Sequence, residues 1–281
     1  MLWDIIGSGK ESEIMIKTVY IKNADDAIQL LTDHPYNENI GRVRSNYLYR
    51  GMPDASYKLR TTLERNCIDK QALLEMPILN NFTKYALKDE PGLVTSVWHQ
   101  MVVGQHYGLP TRLLDWTHSA LIALSFATSE RDFEKTDKRD GVVWRIDAEE
   151  LVDLLPEAYR TVLHEDNTEY FSIRTLNRLA STTAQFDSDL QDSAIAILEP
   201  PSTDPRIINQ YSYFSIIPLA MSDIEGFLEQ KTEKTVRYII DRSIRWDIRD
   251  ILDQLNVSER IAFPGLEGLS RWVARHYYVK R

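Results

Sequence analysis

Two periods of hydrophobic and polar positions along the chain predict its helices and strands. Apolar residues spaced by three or four positions predict helices, and they occur at 24–31, 71–87 (with an interruption at Pro77), 96–106, 119–127, 246–255 and 265–277. Alternating apolar positions and short β-branched or aromatic runs predict strands. These occur at 46–51, 111–116, 142–146, 194–198, 211–217 and 236–240. For the polar segment 150–192, the sequence does not distinguish mobile loops from helices.

The order of these elements predicts the fold class. Strands and helices alternate irregularly, which is not typical of a doubly wound parallel sheet. We therefore expect an α+β fold with a mixed, largely antiparallel sheet flanked by helices. Strands 46–51 and 142–146 should share this sheet, covered by helix 119–127, because that helix has no polar face. No linker divides the chain, so one domain over 1–281 is expected.

Composition restricts the classes of function. The formal net charge of the 281 residues is -9, which argues against broad wrapping of nucleic acid because phosphate contacts need a basic face. The single cysteine, Cys67, excludes an intrachain disulfide and a cysteine-based zinc site. No basic and apolar leader is visible, and no apolar run approaches the roughly 20 residues of a membrane-spanning helix. We expect a cytoplasmic protein without a membrane partner.

A first candidate motif is Tyr49-Arg50-Gly51, at the end of a predicted strand. An arginine there can reach out of the sheet, and its planar guanidinium pairs with phosphate or carboxylate through two parallel hydrogen bonds. The glycine would let a ligand approach the backbone. The alternative is a surface arginine that precedes a turn.

A second candidate motif runs from Gln105 to Thr117, QHYGLPTRLLDWT, and packs His, Tyr, Thr, Arg, Asp and Trp around a loop shaped by Gly and Pro. Strand alternation puts Arg112 on one face and Asp115 on the other. Thr117 and Ser119 are candidate N-caps of the following apolar helix. So dense a polar cluster needs either a ligand or a structural network in which Asp115 pairs with Arg112 or Arg50.

These motifs predict one shared pocket. We expect it to contain Arg50, His106, Arg112, Asp115 and Thr117. The chain has no phosphate-binding Gly-rich loop and no helix with zinc-ligand spacing, so no metal is expected.

The same residues resemble the FRG-domain family, which is named for a Phe/Tyr-Arg-Gly triplet. The resemblance rests on 49–51, 105–117, 120–127, 140–144, 206–214 and 261–269. It spans roughly 47–277, and it implies an FRG core at about 40–147, with 148–281 completing the same fold. Because proteins of this family look like stress-defence proteins of bacteria and phages, the resemblance implies a toxin or antiphage-defence role.

A weaker resemblance links the element order to ADP-ribosyltransferases. Their NAD site opens with a strand that carries Arg-Gly or His-Gly. A strand ending in Ser or Thr, an apolar helix and a further strand follow, and a late strand supplies Glu or Gln. The corresponding positions here are Arg50-Gly51, Thr117, 119–127, 141–146 and Gln210.

The ADP-ribosyltransferase resemblance implies NAD as cofactor and a role for each site residue. Arg50 would hold a diphosphate or ribose, Tyr107 or Trp116 would stack on nicotinamide, and Thr117 would bond a ribose hydroxyl or fix Arg50. The implied catalytic set is Arg50, His106, Asp115 and Gln210, and the implied NAD-binding set is Tyr49, Arg50, Gly51, Tyr107, Arg112, Trp116 and Thr117. Gln210 is an amide and not a carboxylate, so Asp115 or Glu199 would have to stabilise the cationic transition state.

The sequence is consistent with three functions. The first is a nucleotide-site enzyme of ADP-ribosyltransferase type, with a protein or nucleic-acid acceptor. The second is a non-catalytic module that recognises a nucleotide or phosphate through Arg50, His106 and Arg112. The third is a nuclease-like toxin in which His106 is the base and Asp115 orients it.

Overall fold

A computed structural model describes residues 16–202 and 204–280, and its centre is a seven-stranded sheet. The strands are β1 (Lys17–Ile21), β2 (Tyr36–Asn37), β3 (Arg42–Val43), β4 (Tyr47–Met52), β5 (Leu113–Thr117), β6 (Gly141–Asp147), β7 (Ala196–Leu198), β8 (Ser212–Ile216) and β9 (Val236–Ile240). The sheet order is β1-β9-β6-β4-β5-β8-β7, while β2 and β3 form a separate hairpin. Strands β1 and β9 are parallel and the other neighbours are antiparallel. The predicted α+β class with a mixed, largely antiparallel sheet is confirmed.

Helices flank the sheet on both faces. They are α1 (Ala24–Thr32), α2 (Thr62–Cys67), α3 (Gln71–Ala86), α4 (Val97–His106), α5 (Ala120–Thr128), α6 (Ala148–Asp153), α7 (Glu157–Asp166), α8 (Ile173–Leu179), α9 (Thr183–Leu190), α10 (Pro205–Gln210), α11 (Ile224–Lys231), α12 (Arg245–Gln254), α13 (Glu259–Ala262) and α14 (Leu266–His276). The polar segment 150–192 is therefore helical. Within the described parts of the chain, every helix is too short or too polar to cross a bilayer.

Helix α3 continues through Pro77, so the predicted interruption is wrong. A proline inside a helix removes one backbone hydrogen bond, but it does not remove the packing of the helix. Glu75, Leu79 and Thr83 are spaced by four residues and form the buried face of α3. This tertiary contact on both sides of Pro77 keeps the helix continuous.

The hydrophobic core is continuous on one face of the sheet and divided on the other. The undivided cluster includes Leu48 of β4 and Leu114 of β5. On the opposite face, a cluster around α5 covers β4, β6 and β9, whereas a cluster around α4 covers β5, β7 and β8. The boundary between the last two clusters lies over the junction of β4 and β5. This boundary positions the candidate site.

Helix α5 lies directly on β4 and β6, and most of its residues are buried, as its sequence predicts. Gly51 explains the close approach. A Cβ atom at this position would lie 1.8 Å from the carbonyl oxygen of Ala123. At Gly141 a Cβ atom would lie 2.3 Å from the carbonyl oxygen of Ala127. The glycine of the Tyr-Arg-Gly triplet thus admits a helix, where the sequence suggested close approach of a ligand.

We expect Gly51→Ala to lower the free energy of unfolding by about 3 kcal/mol, the upper part of the range for overpacking, because the obstacle is backbone. Urea denaturation measures this loss. Gly92→Ala is the matched control, since its added methyl meets the movable side chain of His99, and its effect should stay within about 0.5 kcal/mol. Equal stability of the two variants would contradict this account of Gly51.

Candidate functional site

A cleft opens where β4 and β5 separate. The two strands are joined through one residue pair, Tyr49 with Thr117, although β4 is paired with β6 along its whole length. Beyond that pair, the side chain of Arg50 crosses the gap. Its Nη1 donates to the backbone oxygen of Asp115 at 2.6 Å and lies 3.4 Å from Oδ2 of the same residue. Arg50 therefore takes the place of backbone ladder bonds between the two strands.

The cleft is a cavity of about 330 Å³, which is near the lower limit of ligand pockets. Several of the predicted site residues line it, namely Tyr49, Arg50, Gly51, Asp115, Trp116, Thr117 and Gln210. Its other walls include Gln105 at the end of α4, Phe126 of α5 and Arg206 of α10. The cleft thus lies at the boundary between the two core clusters.

A chain of hydrogen bonds orients Asp115. Gln105 Nε2 donates to both carboxylate oxygens of Asp115, at 3.1 Å each. Gln105 Oε1 accepts from the hydroxyl of Thr111 at 2.6 Å, and that hydroxyl oxygen accepts from the backbone N–H of Leu113. Because the threonine proton goes to Gln105, the amide nitrogen of Gln105 must face Asp115. The carboxylate is fixed in direction, yet the Asp115 side chain is 57% exposed at the cleft mouth.

Positive charge exceeds negative charge in the cleft. Arg50 and Arg206 are its cations, and Asp115 is the one carboxylate among the described residues that line it. Arg65 lies close by: burial lowers the pKa of its guanidinium, and the charge of Arg50 lowers that pKa further. The Nε of Arg50 is buried without a hydrogen-bond partner in the described part of the chain. The excess of positive charge in the cleft favours an anionic ligand.

Arg112 does not reach the cleft, and that part of the one-pocket prediction is wrong. Its side chain is 1% exposed and forms a two-pronged ion pair with Glu75 of α3. Its Nη1 donates to Asp187 of α9 at 2.5 Å. These two carboxylates occupy the guanidinium in the interior, so Arg112 is a structural residue and not a ligand contact.

His106 and Tyr107 line a different cavity, of about 450 Å³. His106 Nε2 lies 3.4 Å from a carboxylate oxygen of Asp204, and Tyr107 is 74% exposed. Successive helix residues point about 100° apart, so Gln105 faces Asp115 while His106 faces away. The expected pairing of His106 with Asp115 is wrong, and so is a place for His106 and Tyr107 in the cleft.

The remaining predicted residues have defined positions. Gln210 ends α10, and its Nε2 donates to the carbonyl of Ala262 at 2.8 Å. Trp116 is 3% exposed and its indole N–H is bound to Ser215, so it has no free face for nicotinamide. Burial raises the pKa of the Tyr49 hydroxyl. Glu199 accepts a hydrogen bond from Tyr213 and does not line the cleft.

Sequence reasoning missed three contributors to the cleft. Gln105 stood inside the second motif, but without its helical phase it could not be assigned a partner. Arg206 began the segment that resembles the family, and no role was attached to it. Phe126 appeared only as an apolar residue of α5.

Comparison with known proteins identifies one part of the chain. The FRG domain family model matches residues 45–136. No curated protein matches the chain, and no solved structure matches it either. The matched segment includes both strands that form the gap, with Arg50 and Asp115. Residues 45–136 are therefore an FRG domain.

Proposed function

We propose that this protein binds a nucleotide of the NAD class in the cleft and breaks the bond between nicotinamide and ribose, as ADP-ribosyltransferases do. The observation that carries the proposal is the Arg50–Asp115 pair at the gap between β4 and β5. It places a guanidinium and an accessible carboxylate at one cavity. The order of elements around it also agrees with an Arg-Gly strand, a strand ending in Thr and an apolar helix.

The charged groups of the cleft suggest where each part of the nucleotide binds. A diphosphate needs cations, and Arg50 and Arg206 are the cations of the cleft. A ribose offers hydroxyl donors, and the exposed oxygens of Asp115 can accept them. The cavity, of about 330 Å³, is near the lower limit of ligand pockets, so a dinucleotide would extend beyond it.

The proposed chemistry requires Asp115 to act through its charge. When the bond from ribose C1′ to the nicotinamide nitrogen breaks, its electron pair leaves with nicotinamide and the sugar becomes an oxocarbenium-like cation. A fixed carboxylate beside that cation lowers the barrier. Water or a nucleophile of a protein or nucleic-acid acceptor then adds to C1′ and loses a proton. Gln210 orients the ribose and contributes no charge.

A non-catalytic nucleotide-binding module is the second candidate function. One observation favours it: Asp115 is already bound by Arg50 and Gln105, and Gln210, at the end of α10, is an amide where a catalytic carboxylate would be needed. Under this alternative, the cleft recognises the nucleotide without breaking it. A toxin or antiphage-defence role is compatible with either function.

Asp115→Asn distinguishes the two functions. The backbone oxygen of Asp115 still accepts from Arg50, so the variant removes charge and keeps this bond. For the enzyme we expect turnover to fall by about 100-fold or more while NAD affinity changes little. Purified protein is incubated with labelled NAD and cell lysate, and label is followed into protein, nucleic acid and free ADP-ribose.

The matched control is Asp204→Asn in the other cavity, where asparagine preserves the N-cap of α10. It should leave turnover unchanged. If wild type binds NAD but releases and transfers no label, the recognition module is correct. If wild type does not bind NAD, both functions fail for this nucleotide.

A further inference from the structure

We propose that the cleft continues into a second subsite that takes the second nucleoside of the ligand, so that the substrate class is a dinucleotide. A neighbouring cavity of about 670 Å³ is lined by residues including Pro53, Ser129, Arg131, Phe133, Phe263 and Arg271. This inference rests on the proposed function, because it assigns the part of the ligand that the first cavity does not hold.

An aromatic contact links the walls of the two cavities. Phe126 lines the first cavity and Phe263 the second, and their ring centroids are 6.0 Å apart. Arg206 lines the first cavity, and its guanidinium carbon lies 5.0 Å from the Phe263 ring centroid. A phosphate bound by Arg206 would therefore stand at the junction, where the diphosphate of a dinucleotide links its two nucleosides.

This junction is held in place before any ligand arrives. Asn209 Nδ2 and Gln210 Nε2, at the end of α10, donate to the carbonyls of Ile261 and Ala262 in α13 at 3.0 and 2.8 Å. These bonds attach the helix that carries Arg206 to the segment that carries Phe263. A rigid junction costs little ordering entropy when a ligand binds. The amide of Gln210 thus has a structural partner as well as a place in the first cavity.

The second cavity has the chemistry of a nucleoside site. Arg271 lies 5.3 Å from the centroid of Phe263, and Phe133 adds a second aromatic ring to the wall. A flat guanidinium or an aromatic ring can stack on the face of any nucleic-acid base. Of the carboxylates that line this cavity, Glu259 and Glu267 are paired with arginines. Glu130 is the remaining one, and it can accept a ribose hydroxyl or a base amino group.

Comparing NAD with nicotinamide mononucleotide tests the subsite, because the smaller nucleotide lacks the second nucleoside. We expect wild type to bind NAD about tenfold more tightly than the mononucleotide. Arg271→Ala should remove most of this difference by weakening NAD and leaving the mononucleotide unchanged. Arg271 is partly exposed, so the variant should fold. Arg260→Ala is the control, because Arg260 also lies over an aromatic ring but outside the cavity. Calorimetric titration supplies all the affinities.

The outcomes separate the two claims. If both nucleotides bind equally well and Arg271→Ala changes neither, the proposed function stands and the second subsite is wrong. If NAD binds more tightly but Arg271→Ala has no effect, the second nucleoside lies elsewhere and the inference fails. If neither nucleotide binds wild type, the proposed function fails and the subsite fails with it.

Discussion

Replacing Arg50 by alanine is expected to weaken NAD binding by at least about 100-fold while the protein stays folded, since bonds to charged ligands are worth several kcal/mol when desolvated. The guanidinium makes one tight contact with protein, to the backbone oxygen of Asp115, and loss of that bond costs only about 1 kcal/mol of stability. The ligand-induced rise in Tm measures the effect, because the stabilisation of the folded state grows with the logarithm of the ligand concentration relative to Kd.

Lysine at position 50 should not restore binding, because an ammonium lacks the two parallel N–H groups of a guanidinium. The control is Arg139→Ala, which removes an arginine of a surface ion pair with Asp54, outside the cleft. It should show the wild-type rise in Tm. Full binding by Arg50→Ala would place the ligand away from the gap.

Replacing Arg112 by methionine is expected to lower the free energy of unfolding by about 3–5 kcal/mol, because the buried carboxylate of Glu75 loses its counter-charge. Glu75 is 3% exposed, and Asp187 loses the same partner. NAD affinity should be unchanged where the protein is folded, since Arg112 does not line the cleft. Urea denaturation gives the stability, and titration under native conditions gives the affinity.

Two further variants make this prediction specific. Arg112→Met combined with Glu75→Gln should recover part of the lost stability, because the buried carboxylate that lost its counter-charge is removed as well. Lys135→Ala, which breaks an exposed ion pair with Asp132, should change stability by less than about 1 kcal/mol. A loss of binding without a loss of stability in Arg112→Met would contradict the structural role given to Arg112.

The fold could be predicted where local patterns determine the element. The aromatic pair Tyr47 and Tyr49 indicates strand β4, and the unbroken apolar run of α5 indicates a buried helix. The continuity of α3 through Pro77 could not be predicted, because it depends on the packing of Glu75 and Leu79 against distant elements. The polar segment 150–192 is helical for the same reason: residues such as Phe171 and Phe186 enter a core assembled from the whole chain.

The site could be predicted only in part. Arg50 and Asp115 stand in separate motifs, and adjacent strands bring them together as expected. The partners of Arg112 could not be inferred. Strand alternation indicates the face of the sheet on which a side chain lies, but it does not show which distant carboxylates pack against that face. His106 was expected in the place that Gln105 occupies, because the pattern of helix 96–106 does not show which of its faces turns toward β5.

A crystal structure of the protein with NAD tests the central claim most directly. The account predicts a phosphate of NAD within hydrogen-bonding distance of Arg50 and Arg206, with ribose hydroxyls facing Asp115 in the gap between β4 and β5. NAD bound instead in the cavity of His106 and Asp204, or elsewhere with the Arg50 cleft empty, would contradict it.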